Sequence, residues 1–236
     1  MKKLITAIGL MSGTSCDGID VSIVESDGED ALNPIGDFFF PYAENTKYRI
    51  RTLKEKIDKA HDLEINKNEI IDLEKEITFL HSRAINLLLK KLKINKSKID
   101  LIGLHGHTIF HSFNEKKTIQ LGDGRVLSKL IGLNVIYNFR ENDLKNGGQG
   151  APLVPIFHKL LQKKLQLKNP VVFVNIGGIA NLTYLDANND MVSFDAGPGN
   201  FLIDKLLQQK SNGKIQFDNE GEIAFKGKVD KIILDS

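Results

Sequence analysis

Apolar residues fall into short runs and helical stripes, which predict strands and helices in the first part of the chain. Three runs, at residues 4–11, 19–25 and 35–42, have the length and composition of strands and are separated by turns. Apolar residues at three- and four-residue spacing predict a long helix over 69–91, and a shorter helix is predicted over 50–60. We therefore expect a β-meander followed by helices.

The middle of the chain predicts shorter elements. A buried strand is expected over residues 99–104, and residues 108–111 and 118–121 are expected to form a hairpin. A short helix over 126–131 and a strand over 134–139 follow.

The order of elements at the start of the chain recurs in its second half. A polar, glycine-rich segment and a helix precede three strands, and a further helix follows a glycine-proline-glycine loop. The predicted bounds are 142–150 for the segment, 151–165 for the first helix, 171–176, 179–185 and 192–195 for the strands, and 197–209 for the last helix. The recurrence predicts a duplicated α/β unit.

Composition and charge narrow the class of protein. The 236 residues suffice for two small domains, and a formal net charge of +2 gives no reason to expect nucleic acid or an anionic membrane as a partner. The single cysteine excludes an internal disulfide and fits a reducing compartment. The first apolar stretch is too short for a signal peptide or a membrane span, so we expect a cytoplasmic protein.

A polar glycine turn follows the first predicted strand and has the composition of a phosphate site. It comprises Gly13, Thr14, Ser15, Cys16, Asp17, Gly18, Ile19 and Asp20. Glycine lets backbone N–H groups approach a ligand, the hydroxyls donate hydrogen bonds, and Asp17 could hold a magnesium-bound water. The alternative is a polar hairpin without a ligand. For Cys16 a small buried residue is favoured over a reactive thiol.

A second glycine turn occupies the matching place in the second unit. Asp195, Gly197, Gly199 and Asn200 precede a predicted helix, where the helix dipole favours anions. Two such turns on two related units predict a nucleotide bound between them. This organisation resembles the two-domain, actin-like sugar kinases, with a first domain over 1–140 and an incomplete second domain over 141–236.

Motifs along the whole chain resemble the 1,6-anhydro-N-acetylmuramic acid kinases of bacterial cell-wall recycling. The matching runs are residues 11–20, 103–106 with Thr108 and His111, 120–122, 139–140 with Asp143, 147–155, 175–183 and 197–200. The resemblance implies that ATP with Mg²⁺ is used to open the 1,6-anhydro ring and phosphorylate O6, which gives N-acetylmuramic acid 6-phosphate. A homodimer is a candidate assembly, and the metal ligands stay unassigned.

The resemblance also implies roles for individual residues. Asp143 matches the catalytic aspartate and is expected to be the general base; from the residues alone, an Asx-turn in a loop is the alternative. His105, His107, Arg140, Gly148 and Gln149 are expected at the sugar.

Further residues are expected at the nucleotide. Asn175, Gly177 and Gly178 are expected to bind it together with the two glycine turns. Residues 147–155 suit a hinge that closes over both substrates.

Three histidines on the predicted segment at residues 105–111 leave alternatives open. His105 could equally be a packed histidine with a backbone partner. Since His105, His107 and His111 lie at odd positions of one extended segment, they could share a side and bind zinc. This hypothesis is the weaker one, because no carboxylate or cysteine lies at ligand spacing.

The chain departs from the family pattern in three places. His107 replaces a usual glutamine, and Asn138 replaces a usual aspartate. Asp218, Gly221, Ala224 and Gly227 match a family helix, but family members continue well beyond residue 236. We therefore expect a truncated member whose second unit leaves an apolar face uncovered. Three hypotheses follow: an active anhydro-sugar kinase, a non-catalytic remnant, or an actin-like ATPase with another acceptor.

Overall fold

A computed structural model describes residues 3–13 and 15–235 and shows an α/β fold. The strands are β1 Ile5–Ser12, β2 Gly18–Ser26, β3 Leu32–Pro41, β4 Leu101–Ser112, β5 Lys117–Leu121, β6 Val135–Ile136, β7 Val171–Ile176, β8 Ile179–Leu185 and β9 Met191–Pro198. The helices are α1 Glu44–Glu55, α2 Ala60–Ile65, α3 Lys67–Leu92, α4 Gly124–Ile131, α5 Phe139–Lys145, α6 Pro155–Lys164, α7 Phe201–Lys210, α8 Glu222–Lys226 and α9 Lys231–Leu234.

The chain divides into two compact units, residues 1–168 and 169–236. This division lies later than the boundary predicted after residue 140. Residues 141–168 belong to the first unit because they bond to it: Lys163 pairs with Asp30, and Lys164 donates to the Leu32 carbonyl. Leu144 of α5 is also buried.

The first unit is built on a mixed sheet with strand order β3-β2-β1-β4-β5, and β6 also pairs with β4. The strands β1, β2 and β3 form an antiparallel meander, whereas β4 runs parallel to β1 and β6. The register places Ser12, the last residue of β1, opposite His107 of β4. The topology therefore brings the first glycine turn beside the histidine segment.

The core of the first unit lies between this sheet and the long helix α3. Its apolar stripe includes Leu73, Ile77 and Leu88, which are fully buried, as are Ile8 and Ile102 of the sheet. The spacing of the stripe places these side chains on one face of the helix, so α3 forms as predicted.

Several predicted elements have different bounds. The predicted strand over 134–139 ends at Ile136, because Asn138 has a left-handed backbone with φ of 61° and Phe139 begins α5. The separate strands predicted over 99–104 and 108–111 are one strand, β4. The predicted helix over 50–60 begins earlier, at Glu44, and a separate helix starts at Ala60. The helix predicted from residue 151 begins at Pro155.

The second unit contains the predicted repeat of the meander. The strands β7, β8 and β9 form an antiparallel sheet in that order, and the bounds of β7 and β8 agree with the prediction. One face of this sheet is apolar and exposed: Val174, Ile176 and Val192 have 60%, 62% and 56% of their surface accessible. The expectation of an uncovered apolar face is confirmed for the described residues.

None of the helices in the described part of the chain combines the length and the apolar character that crossing a membrane requires.

Candidate functional site

The first glycine turn, here called the phosphate turn, consists of residues 13–17 between β1 and β2. The Cys16 N–H donates to the Gly13 carbonyl at 3.1 Å, which closes the turn, and Ser15 Oγ donates to Asp17 Oδ1 at 2.9 Å. Ser15 and Asp17 are exposed, so their polar atoms can reach a ligand. Thr14, which was also predicted here, lies outside the described residues.

The strand after the phosphate turn needs glycine at its first position. A Cβ on Gly18 would lie 2.3 Å from the Phe40 carbonyl oxygen on the neighbouring strand β3. This close approach explains the glycine by packing within the sheet. Ile19 is fully buried in the core, so its side chain is structural and the prediction that it contacts a cofactor has no support in this geometry.

The electrostatics of the phosphate turn depend on burial and on the charges of nearby side chains. Burial raises the pKa of the Cys16 thiol, and the positive charges of Lys54 and Arg51 oppose this only in part. Cys16 is 2% exposed, which confirms the expectation of a small buried residue. Partial burial, together with the charge of Asp17, raises the pKa of the Asp20 carboxyl. The charge of Asp17 therefore acts on the Asp20 carboxyl at this turn.

Arg51 and Lys54 were missed in the sequence. They lie on α1, close enough to Cys16 for their charges to act on its pKa. They bring positive charge to a turn that is suited to phosphate. The helix predicted over 50–60 includes both residues, but no sequence pattern indicated that this helix approaches the turn.

A second cluster connects Asp143 to His105 through a continuous set of hydrogen bonds. The Gly150 N–H donates to Asp143 Oδ2 at 2.7 Å, and Arg140 Nη1 donates to the Gly150 carbonyl at 2.7 Å. Arg140 Nε donates to His105 Nε2 at 2.9 Å. Four predicted site residues (Asp143, Arg140, His105 and Gly148) therefore meet in one place, the fourth through its contact with Asp143.

His105 is neutral in this cluster. Because Arg140 donates to Nε2, the imidazole proton lies on Nδ1, which contacts the Gly106 carbonyl at 2.9 Å. Burial lowers the pKa of His105, and the charge of Arg140 lowers it further. His105 thus has the backbone partner of a packed histidine and a place in the cluster, and its expected contact with the sugar stays a prediction.

The glycine loop at residues 147–150 is shaped around the Asp143 carboxylate. The Gly148 N–H donates to the Asp143 carbonyl at 2.9 Å, and a Cβ on Gly148 would lie 2.2 Å from Asp143 Oδ2. Gly148 is therefore needed for packing against the carboxylate. Gln149, the other residue predicted here, is exposed.

The structure gives His107 a position that differs from the prediction. His107 is fully buried, with Nδ1 2.8 Å from Ser12 Oγ and Nε2 3.6 Å from Cys16 Sγ. Both ring nitrogens are therefore engaged inside the protein, and a direct contact with the sugar has no support.

The three histidines of β4 do not share a side. Gly106 has a φ of 75°, and the alternation of buried and half-buried positions shifts there. His105 and His107 consequently have different surroundings. Within residues 3–13 and 15–235, no three His, Cys, Asp or Glu side chains come together as metal ligands, so the zinc hypothesis has no support.

Asn138 has a specific partner in this chain. Its Nδ2 donates to Glu141 Oε2 at 2.8 Å, and its left-handed backbone conformation is one that asparagine tolerates well. An aspartate in its place would put a second carboxylate against Glu141.

In the second unit, two predicted turns bind each other through the backbone. The Gly199 N–H donates to the Gly178 carbonyl at 2.9 Å, and the Asn200 N–H donates to the Gly177 carbonyl at 2.8 Å. A Cβ on Gly199 would lie 2.3 Å from the Gly177 oxygen. The pairing of the two turns therefore depends on glycine, and it brings together four of the residues predicted at the nucleotide.

The other predicted residues of the second unit lie on its sheet. Asn175 pairs with Asn181, which pairs with Asp195, so the three side chains form a row across β7, β8 and β9. Gly197 has a φ of 150° on β9. This row lies on the strands that lead to and from the paired turns.

The chain matches one family of proteins over nearly its full length. A family model described as anhydro-N-acetylmuramic acid kinase matches residues 5–236. An anhydro-N-acetylmuramic acid kinase of Pelagibacter ubique (strain HTCC1062) is 44% identical over 99% of this chain and 62% of its own length. That of Rhizobium etli is 41% identical over 97% of this chain and 62% of its own length. The chain therefore spans about 62% of these curated relatives.

Similarities to solved structures are weak. A reductive activator for a corrinoid, iron-sulfur protein has a TM-score of 0.41 and 14% identity, and covers 84% of this chain and 31% of its own. A Ppx/GppA family member of Aquifex aeolicus has a TM-score of 0.37 and 10% identity, and covers 86% of this chain and 54% of its own. Values this low carry no argument about fold or function.

Proposed function

The chain belongs to the anhydro-N-acetylmuramic acid kinase family, and we propose that it opens the 1,6-anhydro ring of anhydro-N-acetylmuramic acid and phosphorylates O6 from ATP. The observation that carries this proposal is the hydrogen-bonded cluster of Asp143, Gly150, Arg140 and His105. It fixes one carboxylate beside a glycine loop that can approach a sugar closely.

In this proposal Asp143 is the general base. Its carboxylate takes a proton from water, whose oxygen forms a bond to the anomeric carbon while the bond from that carbon to O6 breaks. O6 then attacks the γ-phosphorus, and the bond between that phosphorus and the leaving ADP oxygen breaks. The Gly150 N–H, 2.7 Å from Oδ2, holds the carboxylate in one orientation. A carboxylate held in this way is oriented to accept the proton of a water molecule in one position.

His105 and Arg140 are proposed to position and bind the sugar. Arg140 spans the cluster, since its Nε and Nη1 donate to different groups. His105 stays neutral beside it, so the pair has a single positive charge that can attract an anionic or polar substituent of the sugar. Gly148 and Gln149 are proposed to complete this side of the site.

The phosphate turn is proposed to bind the phosphates of ATP. Exposed Ser15 and Asp17, with the charges of Arg51 and Lys54 nearby, fit a phosphate chain accompanied by Mg²⁺. The carboxylates of Asp17 and Asp20, which are close enough for the charge of Asp17 to raise the pKa of Asp20, are the groups that would hold the ion's water ligands. When bound, Mg²⁺ neutralises charge that develops on the transferred phosphate.

The paired turns of the second unit are also proposed to bind a nucleotide. Two related meanders, each with a glycine turn after its first strand, support an actin-like, two-domain arrangement. A cytoplasmic location and a homodimer stay predictions.

A second candidate is a member of the family that retains the sugar site but transfers phosphate poorly. The exposed apolar face of the sheet β7-β8-β9 favours it, because apolar surface of this kind is normally covered in a stable domain.

Mass spectrometry of the reaction products decides between these candidates. The chain is incubated with anhydro-N-acetylmuramic acid and ATP-Mg, and N-acetylmuramic acid 6-phosphate is expected. Asp143→Asn should abolish the product. Asp27→Asn is the matched control, since Asp27 also accepts backbone N–H groups in a loop but lies away from the cluster. A folded chain that binds the sugar without forming product would favour the second candidate.

A further inference from the structure

Two buried side chains connect the two ends of the phosphate turn. Tyr42 directly follows β3, and His107 lies on β4; they are 3% and 0% exposed. Neither can reach a ligand on the protein surface, and the proposed reaction assigns no step to either of them. Their contacts nevertheless go to Ser12, directly before the turn, and to Cys16 and Asp17 at its end.

Tyr42 contacts both ends of the turn. Its hydroxyl donates to Ser12 Oγ at 3.0 Å, and its backbone N–H donates to the Asp17 carbonyl at 2.9 Å. His107 does the same through its ring: Nδ1 lies 2.8 Å from Ser12 Oγ, and Nε2 lies 3.6 Å from Cys16 Sγ. Ser12 and residues 16–17 are therefore connected twice, by groups from two different strands.

The hydrogen bonds of this set run in one direction. Tyr42 gives its hydroxyl proton to Ser12, so the Ser12 hydroxyl can give its own proton to His107 Nδ1 in the tautomer that leaves Nδ1 unprotonated. The proton of the imidazole is then on Nε2 and faces the sulfur of Cys16.

The set has no net charge. Burial lowers the pKa of His107 to about 3, and the positive charge of Lys54 lowers it further. Burial also raises the pKa of Cys16, so the thiol keeps its proton. A neutral, directed set of hydrogen bonds can be fully buried without an unpaired charge.

We propose that Tyr42 and His107 are positioning residues, which act through Ser12 and Cys16 to hold the phosphate turn in the conformation that binds the nucleotide. The expected effect on the KM for ATP-Mg rests on the proposed function. The expected effect on the conformation of the turn does not. His107 would then support nucleotide binding indirectly, from the buried side of the turn. The resemblance had implied that the residue at this position contacts the sugar.

The tautomer of His107 is tested by ¹⁵N NMR of the chain labelled at histidine. The neutral form with the proton on Nε2 is expected at neutral pH, and the signal is assigned by its loss in His107→Gln. A proton on Nδ1, or a charged ring at neutral pH, would overturn the directed set of hydrogen bonds.

Hydrogen exchange tests whether Tyr42 holds the turn. In Tyr42→Phe the Cys16 amide, whose N–H closes the turn, is expected to exchange about fivefold faster, as loss of one net hydrogen bond implies. Thr78→Val is the matched control, because it removes a fully buried hydroxyl that bonds to Glu74 and Asp123 instead. Equal exchange at Cys16 in wild type and Tyr42→Phe, or an equal acceleration in the control, would contradict the proposal.

Steady-state kinetics test the functional part. Tyr42→Phe should raise the KM for ATP-Mg about fivefold and leave the KM for the sugar unchanged. His107→Gln, whose amide can still donate to Cys16, should retain more nucleotide affinity than His107→Leu. An unchanged KM for ATP-Mg in both Tyr42→Phe and His107→Leu would refute the positioning role. If the wild-type chain transfers no phosphate, the proposed function fails, while the tautomer and the exchange rates still decide the structural inference.

Discussion

Replacement of Gly148 by alanine tests whether the glycine loop sets the position of Asp143. A Cβ on Gly148 would lie 2.2 Å from Asp143 Oδ2, 2.4 Å from Cγ and 2.5 Å from Oδ1. Optimal contacts between carbon atoms are about 3.5–4.0 Å, so the loop or the whole carboxylate must move. Gly148 is not among the residues with a positive φ, so the expected effect is steric and not conformational.

The expected magnitude follows from the bonds that this movement breaks. The Gly150 N–H donates to Asp143 Oδ2 at 2.7 Å, and a hydrogen bond to a charged group contributes about 1.5–3 kcal/mol. At about 2–4 °C for each kcal/mol in a chain of this size, Tm should fall by about 3–12 °C. A misplacement of about 1 Å at a catalytic group costs about 10²-fold in rate, so kcat should fall by about that factor.

The assay compares thermal unfolding and product formation in Gly148→Ala with those in Gly103→Ala. Gly103 is a suitable control because the nearest atom to its Cβ would be Phe139 Cζ at 3.7 Å, an ordinary contact. The control should keep the wild-type Tm within about 2 °C. If Gly148→Ala matched Gly103→Ala in both Tm and kcat, the loop would not hold the carboxylate and the reasoning would be wrong.

Three further predictions concern pH, α5 and the central sheet. The pKa of His81 is lowered by burial from 6.5 to about 4, so the unfolded chain binds a proton between these values that the folded chain does not. The free energy of unfolding should fall by about 3 kcal/mol as pH decreases through this window. His81→Leu should reduce this pH dependence, with the free energy measured by urea unfolding at each pH. Asn138→Asp should lower Tm because its carboxylate would face Glu141, and the loss should shrink at acidic pH. Gly18→Ala should yield little folded protein on circular dichroism, because its Cβ would meet the Phe40 carbonyl.

The elements with clear periodicity could be predicted from the sequence. The helix α3 and the strands β7 and β8 agree with the prediction because one uninterrupted pattern covers each of them. Predictions failed where a single backbone conformation interrupts a pattern. The left-handed Asn138 ends a strand that the apolar residues alone would continue, and it allows α5 to begin.

Residues of the candidate site could be predicted, but their arrangement could not. The resemblance identified Asp143, His105 and Arg140, which the structure brings together. The expectation that His107 contacts the sugar came from the resemblance, whereas the zinc hypothesis assumed that odd positions of a strand share a side. The positive φ of Gly106 shifts the alternation, and a glycine in the sequence does not by itself show which conformation it adopts.

Two departures from the family pattern have local partners in this chain. His107 bonds to Ser12 and Cys16, and Asn138 bonds to Glu141. A chain that is no longer selected for function would be expected to leave polar groups without hydrogen-bond partners at such positions. Each such group that is buried costs about 1–3 kcal/mol of stability.

Unmatched groups do occur, but at other positions. In the described part of the chain, the buried side-chain atoms without a hydrogen-bond partner are His81 Nε2, Thr108 Oγ1, Asn169 Oδ1 and Asn181 Oδ1. None of them belongs to His107, and Asn138 is exposed, so water can reach its polar atoms. The departures therefore give no support to a decayed first unit, and the case for impaired phosphate transfer rests on the exposed apolar face of the second unit alone. If that face is the cause, sugar binding by the first unit should be intact even where phosphate transfer is absent, and calorimetric titration with the anhydro sugar would detect it.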